Sequence, residues 1–202
     1  MPASKNPDLH GNVPDSSPVA VLLIDVINDL EFEGGEELLA NALPMARQVA
    51  ALRRDAKRLG VPVVYVNDNY GQWQSDFRKL VDHCVYADVR GKQIAQLLAP
   101  GEDDYFVLKP KHSGFYATTL DTLLVYLKCT SLVLAGLTGN VCVLFTAHDA
   151  FMRDFDLWIP SDCTASIDAT ENEQALAHAA KVLRARTTPY QELDLERFLA
   201  CR

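Results

Sequence analysis

Chemistry in this sequence is concentrated in its cysteines, at positions 84, 129, 142, 163 and 201, and in acids and lysines that close apolar runs. Cys142 stands apart by its surroundings. It lies in GLTGNVCVLFTAHDAF (136–151), just after a Gly-rich break and at the start of a helical run. That places it in a first turn, where unpaired backbone N–H groups and the positive end of the macrodipole favour a thiolate over a thiol. An acid and an amine on the same rim would complete a nucleophilic hydrolase site: Asp25 to take the thiol proton and later return it to a leaving amine, Lys109 to stabilise the anion. Spacing alone leaves rivals. Lys111 is as well placed as Lys109, Cys163 also ends an apolar run although no helix begins directly after it, and Asp25 could simply close a turn. Asp29 suits that turn role better, or could support Lys109 by charge. His112 reads as a loop residue and His148 as a hydrogen-bonded core histidine.

The elements that would bring these residues together read as an alternation of strands and helices. PVAVLLID (18–25), VPVVYVND (61–68), DYFVLKP (104–110), TSLVLAGL (130–137) and FDLWIPSD (155–162) are nearly continuous in apolar residues, the mark of strands covered on both faces in a parallel sheet. Helical stretches at about 36–59, 118–128, 140–153 and 171–186 are long enough for crossovers. The segment 69–100 is less regular and reads as loops with a short helix shaping a pocket. The predicted architecture is α/β, a three-layer α/β/α sandwich with a mainly parallel sheet. In such sheets ligands bind beyond the carboxyl ends of the strands. There the runs end in Asp25, in Asn67 and Asp68, in Lys109, in Thr138 to Cys142, and in Asp162 with Cys163.

Composition bounds the alternatives. With 202 residues, 49% of them apolar, the chain can bury one substantial core. Four of the ten prolines fall within residues 1–18, so residues 1–17 read as a mobile arm ahead of a domain spanning 18–202. A formal charge of −8 without a Lys/Arg cluster argues against nucleic acid and anionic membrane as partners. No stretch approaches the roughly 20 apolar residues of a membrane-spanning helix. An odd number of cysteines without paired spacing reads as reduced thiols in a cytoplasmic protein.

LLIDVINDL, LKPKHSGF and GLTGNVCVLFTAHDAF, in that order, resemble the isochorismatase-like cysteine hydrolases, which include nicotinamidases and N-carbamoylsarcosine amidases. The resemblance covers about residues 18–186. It implies an Asp25, Lys109, Cys142 triad, and so decides between the two lysines. It also implies a cis peptide joining Leu137 to Thr138, with the backbone N–H groups of Thr138 and Cys142 forming an oxyanion hole. The implied function is cleavage of a C–N bond in a small amide-like substrate through a thioester, by an enzyme likened to homo-oligomeric relatives. Nicotinamidases pair an Asp-x-His motif with a further His to bind a metal. Here Asp68 is present but Tyr70 stands in the His position, leaving His83 downstream as a poor substitute, so no metal and no other cofactor is expected. Ile27, Leu30, Gly114 and Gly139 also depart from common family residues and leave the substrate open. Asn67, Asp68, Tyr70, Trp73 and Phe115, with Phe77 and Tyr116 nearby, are the expected pocket residues. A nicotinamidase, or a binding protein that has lost turnover, are the competing readings.

Overall fold

Residues 16–71 and 76–200 are described by the computed structural model. Most of the expected arm (1–17) therefore lies outside the described residues, as do Trp73 and Cys201. Ser17 is buried and already tied in, its N–H donating to Leu127 O at 2.8 Å.

Six parallel strands form the central sheet: β1 (Val19–Ile24), β2 (Val63–Asp68), β3 (Tyr105–Lys109), β4 (Ser131–Leu137), β5 (Asp156–Trp158) and β6 (Thr164–Ala165). Their order is β3-β2-β1-β4-β5, with β6 pairing the far end of β4. All of β1 and β4 is buried, which explains why both read as unbroken apolar runs. Successive residues go to opposite layers. Val19, Val21 and Leu23 pack under α1 (Gly35–Leu59), α2 (Phe77–Tyr86), α3 (Lys92–Leu97) and α7 (Leu195–Ala200). Ala20, Leu22 and Ile24 pack under α4 (Leu120–Leu127), α5 (Leu144–Phe151) and α6 (Ala169–Val182). The three-layer α/β/α sandwich expected from the sequence is the observed fold.

Helix α1 presents Leu38, Ala42, Met45, Val49, Leu52 and Ala56 to the sheet at intervals of three and four, each almost wholly buried. Burying a large side chain of this kind stabilises by about 1.5–3 kcal/mol. The helix ends at Gly60, whose φ of 68° gives a left-handed cap and lets its N–H reach Ala56 O and Lys57 O.

Three local expectations need correction. The segment 69–100 contains two helices, α2 and α3, because Phe77 and Cys84, Ile94 and Ala95 give each a buried face. The run 155–162 is a strand only over Asp156–Trp158; a 3₁₀ turn, Ser161–Cys163, follows and re-enters the sheet as β6. The helix expected at 140–153 begins instead with a π-helical turn, Gly139–Val143, and only then becomes α5.

In the order β3-β2-β1-β4-β5, the chain works outward from β1 to one edge and then resumes at β4 on the other side of β1. The ends of β1 and β4 therefore flank the crevice where such sheets place ligands. The two strands meet closely there. Ile24 is registered opposite Gly136, which has a φ of 121°, and a Cβ on Gly136 would lie 2.1 Å from Ile24 O. Gly136→Ala is expected to lower stability by more than about 3 kcal/mol, combining backbone strain with a wedge between the central strands. Chemical denaturation of the purified variant checks this; a near-native midpoint would disprove it.

Candidate active site

Asp25 follows β1 directly and adopts a left-handed backbone, φ 51°. This conformation is uncommon for a residue with a Cβ, though least so for Asp and Asn. It is held from both ends: Asp25 N–H donates to Val66 O at 3.0 Å, and Asp25 Oδ1 accepts from Asp68 N–H at 2.7 Å. Asp25 Oδ2 then lies 2.9 Å from Lys109 Nζ. Lys109 ends β3, registered opposite Asp68, and its side chain is fully buried. Its ammonium also meets Asp68 Oδ2 at 3.3 Å and Cys142 Sγ at 3.6 Å. The Asp25 carboxylate in turn acts on the Cys142 thiol, each shifting the other's ionisation. Three segments far apart in sequence thus place a carboxylate, an ammonium and a thiol together, with Asp68 as a second carboxylate on the cation. Lys111, the alternative lysine, is exposed.

The π-helical turn is what seats the sulfur. Val141 N–H and Val143 N–H both donate to Thr138 O, at 3.2 and 3.1 Å. Thr146 Oγ–H donates to Cys142 O at 2.7 Å and accepts from Gly114 N–H at 3.0 Å, joining this turn to the loop after β3. On the other side Asn140 N–H donates to Ser166 Oγ, whose hydroxyl donates to Asn172 Oδ1, both at 3.1 Å. Asn172 is packed so closely that a Cβ on Gly139 would sit 1.9 Å from its Oδ1. The departure to Gly at 139 is therefore matched by an Asn 33 positions later. Ser166 and Asn172 were not singled out from the sequence, because neither lies in a motif and only the third dimension brings them to the turn. The Leu137–Thr138 peptide is cis.

Electrostatics correct one expectation. Burial and the Asp25 charge push the Cys142 pKa up to about 12, against the opposing pull of Lys109, which favours the thiol over the thiolate. Burial and the neighbouring carboxylate outweigh the helix-end effect inferred from sequence. Burial also raises the Asp25 pKa, partly countered by Lys109. For Lys109, burial acts downward, but the charges of Asp25 and Asp68 prevail and hold it above its ordinary value. These shifts favour a neutral thiol close to a carboxylate and an ammonium.

A cavity of about 680 Å³ adjoins this cluster, bounded by Asp68, Asn69, Tyr70, Leu108, Asp29, Phe32 and residues of α2. Asp68 and Tyr70 line it. Tyr70 is about half exposed, and partial burial with the nearby Asp25, Cys84, Asp29 and Asp68 pushes its pKa above the usual phenol range. Two expected pocket residues lie elsewhere. Phe115 is buried in the core beneath Arg153, whose guanidinium is 4.7 Å from the ring centre, because its own loop is pulled inward by the Gly114–Thr146 bond. Asn67 points away from the cavity's lining and donates to Ile27 O at 2.8 Å, bracing the loop after β1. Phe77 is buried against Tyr65 and Phe106, and Tyr116 is exposed. Cys163 is wholly buried in the core under α1. Asp29 does not support Lys109; it accepts from Glu31 N–H and pairs with His83 at 3.2 Å.

The residues present do not fit a nicotinamidase-type metal. Asp68 is committed to Lys109 and to Tyr70 N–H, His83 to Asp29, and among the described residues no group of three or more His, Cys, Asp or Glu could hold an ion. Likewise, no helix among the described residues is long and apolar enough to cross a membrane.

A parallel sheet with a Cys, Lys and Asp gathered at its switch point is a hydrolase architecture. The chain belongs to the isochorismatase family, its Isochorismatase domain covering residues 19–189, and it is a hydrolase. It is 40% identical over 174 residues to the uncharacterized isochorismatase family protein YaaI of Bacillus subtilis, covering 86% of this chain and 95% of that one. It is 27% identical to a probable inactive nicotinamidase of Arabidopsis thaliana, over 81% of this chain and 86% of the relative. Among solved structures it resembles N-carbamoylsarcosine amidase from Thermoplasma acidophilum, with a TM-score of 0.66 and 27% identity over 88% of this chain and 99% of that one.

Because the Asp25 charge raises the Cys142 pKa and Lys109 lowers it, Asp25→Asn is expected to lower the thiol pKa while leaving Lys109 in place. Ultraviolet thiolate titration of this variant, with the Asp25→Asn/Cys142→Ala double variant subtracted, measures it. An unchanged or higher Cys142 pKa would show that Asp25 does not govern the sulfur.

Proposed function

We propose that this hydrolase cleaves the C–N bond of a small amide through a Cys142 thioester, with Asp25 and Lys109 as its partners. The observation that carries the reading is the contact of Lys109 Nζ with both Asp25 Oδ2 and Cys142 Sγ, at 2.9 and 3.6 Å. The resemblance to an amidase over nearly the whole chain supports it.

Asp25 takes the thiol proton as sulfur attacks the substrate carbonyl carbon. Lys109, permanently beside both groups, compensates the negative charge as it passes from carboxylate to sulfur. The oxyanion of the tetrahedral intermediate is assigned to the backbone N–H groups of Thr138 and Cys142, donors fixed before substrate arrives. Asp25 then gives its proton to the departing nitrogen, so that ammonia or an amine leaves and a thioester remains. In the second half, water loses a proton to Asp25 and adds to the thioester carbonyl; collapse expels sulfur, which recovers that proton. The net reaction is amide plus water to carboxylic acid plus amine. Asp68, Asn69 and Tyr70 border the space for the rest of the substrate, with Tyr70 a hydroxyl donor where relatives place an imidazole.

Two outcomes are expected. Cys142→Ala should lower kcat by at least about 10³-fold with little change in thermal midpoint, since a nucleophile that acts as part of a unit accounts for most of the rate. Ammonia release from a panel of small amides, nicotinamide included, together with mass-spectrometric capture of an acyl adduct, tests the reaction; turnover surviving in Cys142→Ala would end the covalent reading. Asp25 must be ionised to accept the proton, and its pKa is raised from 3.8. Activity should therefore fall on acidification at a pH above that of an ordinary carboxylate. A kcat/KM profile flat down to the ordinary carboxylate range would remove Asp25 as the base.

A further inference from the structure

We propose that His148 and His178 form a second site, a two-imidazole seat for a divalent transition-metal ion bridging α5 and α6. Their Nε2 atoms face each other at 3.2 Å, with ring centres 5.2 Å apart and ring planes at 42°. His148 was expected from sequence to be a core histidine. It is instead only partly buried and turned to the exposed His178, thirty residues onward.

The spacing carries the assignment. Metal–imidazole bonds of about 2.0–2.1 Å place adjacent nitrogens roughly 2.9 Å apart at an octahedral angle and roughly 3.4 Å apart at a tetrahedral one. The observed separation falls inside that window without any side-chain rearrangement. The two imidazoles present the same ring atom to each other, and His178 is exposed, so water can fill the remaining positions of a bound ion. Nitrogen donors without a carboxylate select zinc, nickel or copper over magnesium and calcium, which require oxygen. Among the described residues no third His, Cys, Asp or Glu joins the pair, which sets the affinity at that of two ligands.

The location gives the site a mechanical meaning. Helix α5 grows out of the turn that carries Cys142, and α6 carries Asn172, which closes against Gly139 of the same turn. An ion shared by His148 and His178 staples together the two helices that grip the nucleophile turn.

Calorimetric titration of the tag-free full chain with Zn²⁺ or Ni²⁺ tests this. One equivalent should bind to the wild-type chain, and binding should persist in Cys142→Ala, which separates this site from the reactive thiol. It should weaken by at least about tenfold in His148→Ala and in His178→Gln, the latter at an exposed position where the fold is not at stake. The metal should raise the thermal midpoint of the wild-type chain but not of either histidine variant. Binding unchanged in both histidine variants, loss of binding in Cys142→Ala, no binding to the folded wild-type chain, or Mg²⁺ binding equally well would each overturn the assignment, leaving the pair as an N–H···N hydrogen bond.

Discussion

A lysine ammonium with no access to solvent is the constraint around which this molecule is arranged. Removing such a charge from water costs several kcal/mol, and leaving it without a partner is more costly still. Lys109 is reconciled with the interior only by Asp25 and Asp68, one from the end of β1 and one from the end of β2, and by the sulfur of Cys142. Each contact demands that a strand end arrive at the right height. The register that places Asp68 opposite Lys109 and the left-handed turn at Asp25 both satisfy that demand. The site is thus a solution to a solvation problem as much as an arrangement for chemistry, and the same contacts serve both.

Around that cation, the surrounding structure mainly restricts movement. The Cys142 turn is tied toward β3 by Thr146 and Gly114, and toward α6 by Ser166 and Asn172. The close parallel pairing of β1 and β4 at Ile24 and Gly136 holds together the two strand ends that carry the carboxylate and lead to the sulfur. None of these residues touches the reacting atoms. Together they fix the position of Cys142 relative to Lys109 and Asp25.

Much of this was legible in the sequence, for identifiable reasons. Strands buried on both faces leave unbroken apolar runs, so β1, β2 and β4 announce themselves, and the polar residues that end them point to one rim. Lys109 and Lys111 could not be separated by spacing; burial separates them, and burial is a property of the assembled layers. One short helix was expected in 69–100 where two form, because each is short and hides only two residues. The π turn was missed because its hydrogen-bond shift leaves no mark on apolar periodicity. Phe115 was misplaced because an aromatic residue beside a site motif reads the same whether it turns toward ligand or core. The thiol's ionisation was misjudged for a related cause: helix position is written in sequence, whereas the proximity of the Asp25 charge is not.

Keeping Cys142 protonated at rest has a consequence outside the reaction itself. Peroxides and stray electrophiles attack thiolates far faster than thiols. A part-buried sulfur whose pKa is pushed up is less open to such damage. The burial that makes this cysteine a reluctant acid thereby extends the working lifetime of each molecule in an oxidising setting.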